Sequence, residues 1–124
     1  MIYPDDPLLY RMFDIIGRVM RSGGSEPYAG RRLTAWARDA GFEREELQVS
    51  AAVEVHSSRS EREFIATRYY ERILHSEVGR KAEVLGIATR EEIENVANAW
   101  KQWIDDDEGY LGLPSTEILC RKNT

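Results

Sequence analysis

Cysteine is nearly absent from this chain, with Cys120 the one thiol in 124 residues. A single cysteine closes no intrachain disulfide, so no cross-linked framework holds the fold and no oxidising compartment is implied. An excess of positive charge is also missing. The 17 Lys and Arg stand against 22 Asp and Glu, for a net charge of -5. The short basic groups, Arg31-Arg32 and Lys101, are too sparse to supply the clustered cations on which phosphate binding rests, so no nucleic-acid partner is expected. No apolar run approaches the roughly 20 residues that cross a bilayer. Met1 to Tyr10, with Asp5 and Asp6, lacks the basic start of a signal peptide. The expectation is a cytoplasmic protein without a membrane partner. Metal-ligand spacing is lacking as well: His56 and His75 belong to no HxxxH or CxxC pattern. Asp105 to Glu108 are consecutive acids without the alternating spacing of a calcium loop. No metal site is expected, and neither repeats nor low-complexity stretches interrupt the chain.

What is present is the balance of a globular protein, 42% apolar and 31% charged residues, in a length that suits a single domain over residues 1–124. Asp6-Pro7 is a cap followed by a proline that a first turn accepts, and Leu9, Met12, Phe13, Ile16, Val19 and Met20 recur on one helical face. This predicts a helix over 7–21. Ala29, Leu33, Trp36, Ala37 and Ala40 predict a second over 27–40, stopped by Gly41. From 47 to 55 the period changes to two: Leu47, Val49, Ala51, Val53 and Val55 alternate with Gln48, Ser50 and Glu54, the pattern of a strand with one face in a core.

Three helical segments are expected over 59–104. Ser58 and Glu61 have capping-box spacing ahead of Ile65, Tyr69 and Ile73. Ser76 can cap a short helix ending at Gly86, and Thr89 with Glu92 opens the stripe Ile93, Val96, Ala97, Trp100, Ile104. A terminal strand over 116–121 follows from Thr116, Ile118 and Cys120 alternating with Glu117, Leu119 and Arg121. The expected fold is α/β, with about five helices and two strands. Two strands cannot bury both faces of such a chain, and an isolated pair is marginal in water. Something is expected to complete the sheet: an N-terminal half, a second copy, or another subunit.

Gly30-Arg31-Arg32-Leu33, Trp36-Ala37 and Ala40-Gly41-Phe42 resemble the segment of ubiquinone/menaquinone-biosynthesis-type methyltransferases that leads from the last crossover helix into the sixth strand. Tyr3-Pro4-Asp5-Asp6-Pro7 resembles the exit from that family's fifth strand, and Tyr70-Glu71-Arg72-Ile73 with Ser76 its lid helices. Gly86-Ile87-Ala88-Thr89 with Glu92, then Ala99-Trp100 and Trp103, resemble its final helix, and Glu117 to Arg121 its last strand. The resemblance to a class I S-adenosylmethionine-dependent methyltransferase implies the C-terminal, substrate-side part of a doubly wound sheet, its last two strands antiparallel, roofed by helices over a small-molecule acceptor. The family's glycine-rich cofactor turn after a first strand, and its acid after a second, have no counterpart here. Gly23-Gly24 follows a helix and reads as a stop. The chain by itself is thus expected to bind no cofactor and to methylate nothing, S-adenosylmethionine entering only with an N-terminal half.

No catalytic residue is legible. Cys120, with no histidine or helix start beside it, reads as a buried inert thiol, and Ser57, Ser58 and Ser60 read as caps. The residues expected to line a substrate site are Tyr3, Phe64, Tyr69, Tyr70, Arg72 and His75. Trp100 and Trp103 join the same set of large apolar faces with polar handles, although each aromatic also suits a core position. The expected partners are a second copy of the chain or a companion methyltransferase subunit. Two other functions stay open: a non-catalytic subunit that stabilises a methyltransferase, and a cofactor-free binding protein or cyclase.

Overall fold

The computed structural model describes residues 1–122. In chain order the elements are β1 (Ile2–Tyr3), α1 (Pro7–Ser22), α2 (Leu33–Asp39), β2 (Leu47–His56), α3 (Arg59–His75), α4 (Glu77–Val84), α5 (Arg90–Trp103) and β3 (Tyr110–Cys120), with short 3-10 turns at Ala29–Arg32 and Arg44–Glu46. The class is α/β, and the sheet has three strands in the order β1-β3-β2. β1 pairs antiparallel to β3, Ile2 opposite Leu111 and Tyr3 opposite Tyr110. At the far end the Arg121 N–H donates to the Glu46 carbonyl at 2.9 Å, which sets the end of β3 against the start of β2 and makes that pair antiparallel as well.

The chain divides into two compact units, Met1–Glu26 with Val55–Gly112, and Pro27–Glu54 with Leu113–Thr124. The first holds the core. Leu9, Met12, Ile15, Ile16 and Val19 of α1 are buried with Ile65, Ala66 and Ile73 of α3, Ala82 of α4, and Ile93, Val96, Ala97, Trp100 and Trp103 of α5. Its helices start where local chemistry supplies partners for the exposed N–H groups of a first turn. Asp6 accepts from the Leu8 N–H, Ser76 from Val78, and Thr89 from Glu92. Ser58 and Glu61 form the reciprocal capping box their spacing predicts. The close seat of α4 depends on Gly79, where an added Cβ would lie 2.0 Å from the Ile73 carbonyl oxygen. Among the described residues no helix is long and apolar enough to cross a membrane.

The structure departs from the sequence expectation in three places. The helix expected over 27–40 is a 3-10 turn followed by a seven-residue α2 with no buried residue. Tyr28 sits at φ -112°, ψ 45°, outside helical space. Gly30 lies so near Thr116 that a Cβ there would meet its side chain at 3.0 Å, so the chain reaches β3 before it winds up. The last strand begins at Tyr110 rather than Thr116, because its first residues pair with β1, an element the alternation did not reveal. β2 forms where expected, yet neither of its faces enters a core. Val49, Val53 and Val55 are 52%, 49% and 40% exposed. Alternation specifies two different faces; it does not specify that either is covered.

Candidate functional site

In the helical unit the exit from β1 and the end of α5 form one groove of about 180 Å³, lined by Pro4, Asp6, Leu9, Ala99, Gln102, Trp103 and Asp106. Three local structures build it. The Asp6 side chain is held at the α1 N-terminus by the Leu8 N–H at 2.9 Å. The Trp103 indole N–H donates to the Tyr3 carbonyl at 3.0 Å, which fixes the buried indole in the groove wall. Past α5, Asp106 Oδ1 accepts from the Glu108 N–H at 2.9 Å and the Asp106 carbonyl from the Gly109 N–H at 2.9 Å, so the acidic turn is rigidly folded. Each carboxylate keeps acceptor capacity. The groove therefore offers an aromatic face, a side-chain amide and two carboxylates, a set that suits a small ligand bearing hydroxyl or amine donors.

Below this rim lies a buried arginine. Arg62 of α3 is 2% exposed, with Nε donating to the Ile104 carbonyl at 3.1 Å and Nη1 to the Ser57 carbonyl. Its Nη2 is 3.7 Å from the Asp107 carboxylate. One guanidinium thus ties the end of β2 to the C-terminus of α5 and to the acidic turn. Next to it in sequence, Glu61 is fully exposed, and hydrogen bonds from the Ser58 backbone N–H and hydroxyl, then the Ser57 N–H, hold its carboxyl below the ordinary glutamate value.

The six residues expected to line a site are spread over several environments. Tyr69 packs edge-on to Phe13 and Trp100, with ring centroids 5.4 and 5.0 Å away. Trp100 in turn meets Trp103 at 5.2 Å, and its buried indole N–H has no hydrogen-bond acceptor. Tyr70 is half-buried with the Lys101 ammonium 5.0 Å above its ring. Phe64 is 58% exposed beneath the Arg68 guanidinium. Arg72 is exposed, and the exposed His75 lies 3.8 Å from Glu71. Tyr3 brings its carbonyl to Trp103 and leaves its ring largely in solvent. Of the sequence candidates, Trp103 lines the groove, and Tyr3 is joined to it only through its backbone carbonyl. Gln102, Asp6 and Asp106 were missed, since a cap, a helix-end amide and an acidic turn carry no individual signal.

In the second unit a wider groove of about 450 Å³ runs between Pro27–Arg31 and Pro114–Thr116. Gly23 and Gly24 close α1: the Ser25 N–H turns back to the Met20 carbonyl at 3.0 Å, with Gly24 at φ 86°. Cys120 is a half-buried free thiol. Among the described residues no group of three or more His, Cys, Asp or Glu could hold a metal.

Over 99 residues, 80% of its length, the chain is 27% identical to a protein of Schizosaccharomyces pombe described as "Uncharacterized methyltransferase C1B3.06c". The similarity is that of a distant relative, and the matched part is 35% of the yeast protein. No family model matches the chain, and no solved structure matches it.

Proposed function

We propose that this chain is the substrate-side, lid-bearing portion of an S-adenosylmethionine-dependent small-molecule methyltransferase, working with a cofactor-bearing half supplied outside these residues. One observation carries the proposal: the helical unit has a finished core, while β2 holds an apolar face of Leu47, Val49, Ala51, Val53 and Val55 largely in solvent. An α/β sheet is stable when layers cover it, and the distant methyltransferase relative is much longer than the matched segment.

Methyl transfer moves CH3 from a sulfonium to a nucleophilic atom of the acceptor, and the sulfur leaves with the bonding pair as a neutral thioether. Such a step needs positioning above all, with a base only where the acceptor must shed a proton. The Trp103 groove supplies both elements. Its aromatic wall and Gln102 orient the acceptor, and Asp6 or Asp106 takes up a proton. At about 180 Å³ it is smaller than a complete small-molecule site, for which 300–1,000 Å³ is usual, so the cofactor-bearing half would contribute the remaining wall.

The test is calorimetric titration of the purified chain with S-adenosylmethionine, followed by a methyl-transfer assay with labelled cofactor on the chain joined to the polypeptide with which it copurifies. The expected result is no saturable heat from the chain alone and transfer by the complex, lowered at least tenfold by Gln102→Ala or Asp106→Asn. Saturable binding of the cofactor by the chain alone, or a complex inert toward phenol, amine and carboxylate acceptors, would overturn the proposal.

A further inference from the structure

The free edge of β2 points to a second copy of this chain. β2 ends the sheet, with β3 on one side and no strand of the described residues on the other. Long edge strands are ordinarily protected from pairing by lysine, proline, a bulge or shortness. β2 has ten residues, LQVSAAVEVH, with no lysine, proline or glycine, and Glu54 its one acid. Such an edge is a template for another strand.

We infer that two copies pair β2 with β2, antiparallel, about a two-fold axis at Ala51. Backbone direction and side-chain sequence fix this register together. The Glu46 carbonyl faces β3, and backbone polar groups alternate sides along a strand. The N–H and C=O groups of Val49, Ala51, Val53 and Val55 therefore face the open edge, together with the Leu47 C=O, the Leu47 N–H being taken by the Arg44 carbonyl. His56 is buried, so the open edge runs from Leu47 to Val55, and its midpoint is Ala51. With Ala51 opposite its own copy, Val49 lies opposite Val53 and Leu47 opposite Val55, and these outward-facing residues fall into hydrogen-bonded pairs, Leu47 through its carbonyl alone. On the other face Ser50 meets Ala52, and Gln48 meets Glu54. The faces match: apolar meets apolar on one, and on the other the acid meets an amide in place of its own copy. A strand that is its own complement in register, side and charge is what an isologous interface requires. The edge is used and the faces are not, so the inference is independent of the methyltransferase reading.

Sedimentation equilibrium of the purified chain is expected to give twice the 14.3 kDa monomer mass. In a Cys120→Ser background, Ala51→Cys should cross-link copies under mild oxidant, since hydrogen-bonded antiparallel pairs hold their Cα atoms about 5.5 Å apart and disulfides span about 4.4–6.8 Å. Gln48→Cys in the same background should not, because its opposite is Glu54, six residues along the strand. Gln48→Glu, setting like charges opposite at both ends, should weaken the dimer about 3-fold to 10-fold, and Gln48→Lys should tighten it. Gln48 is exposed, so circular dichroism should be the same for both variants. A monomer at 100 μM, cross-linking at position 48 in preference to 51, or equal effects of Glu and Lys at position 48 would each overturn the inference. Loss of dimerisation would leave the S-adenosylmethionine titration unchanged, and the two readings fail separately.

Discussion

The indole N–H of Trp103 reaches the backbone carbonyl of Tyr3 at 3.0 Å, joining residues 100 positions apart in sequence. The bond anchors the two-residue β1 to the end of α5 and fixes the indole that lines the groove beside Asp6 and Asp106. Because Trp103 is buried, Trp103→Phe removes the donor and leaves the Tyr3 carbonyl short of a partner, a loss of about 1–3 kcal/mol in urea denaturation. Tyr3→Ala, which keeps the carbonyl and removes a ring that is 48% exposed, should cost much less. Equal costs would show that the ring, and not the hydrogen bond, anchors β1.

Arg62→Met keeps an apolar stem in the core and removes the guanidinium. The carbonyls of Ser57 and Ile104 lose their donor, and each unsatisfied carbonyl costs about 1–3 kcal/mol. Faster amide exchange should follow at the α5 C-terminus. Asp107→Asn should change stability little, because Asp107 is 100% exposed and exposed pairs contribute only about 0–1 kcal/mol.

Gly79→Ala would ordinarily favour a helix. Here it forces a Cβ to within 2.0 Å of the Ile73 carbonyl, and α4 must move off α3. The expected result is destabilisation of about 1–3 kcal/mol, the usual cost of overpacking, read as a lower thermal midpoint. A gain in stability would mean that α4 relaxes freely.

The Glu61 cap predicts a pH dependence. Hydrogen bonds from Ser58 and Ser57 lower its pKa below the reference 4.5. In the region between the two values the unfolded chain binds more protons than the folded one. The contribution is therefore present in full above pH 4.5 and is lost as pH falls through the lowered folded value. Glu61→Gln should flatten the stability profile in that acid range and leave the slope near pH 7 as it was. A profile unchanged by the substitution would remove the cap from the account of acid stability.

The six expected site residues show which physics is readable along a chain. Tyr69, on the expected α3 stripe, sits half-buried between Phe13 and Trp100, since helical period reports which face turns inward. Phe64 and His75 occur in the same helix and face solvent; residue type suggested a pocket that the helix geometry does not build. Arg62 would pass for one more charge on a solvated helix, and its burial is created by carbonyls at Ser57 and Ile104. The groove combines Pro4 and Asp6 with Ala99 to Asp106, a meeting that no local window contains.

By itself the sequence determined what depends on near neighbours: the caps at Asp6, Ser58, Ser76 and Thr89, the stops at Gly41 and Gly86, and the period-two run of β2. These rest on backbone hydrogen bonds and sterics that close within a few residues. Tertiary structure alone decided the short β1 and its register on β3, the early start of β3, the burial of Arg62 and the exposure of both faces of β2. Such features are set by whatever surface arrives from distant parts of the chain, and hydrophobic burial and carbonyl partners exist only once those parts have met.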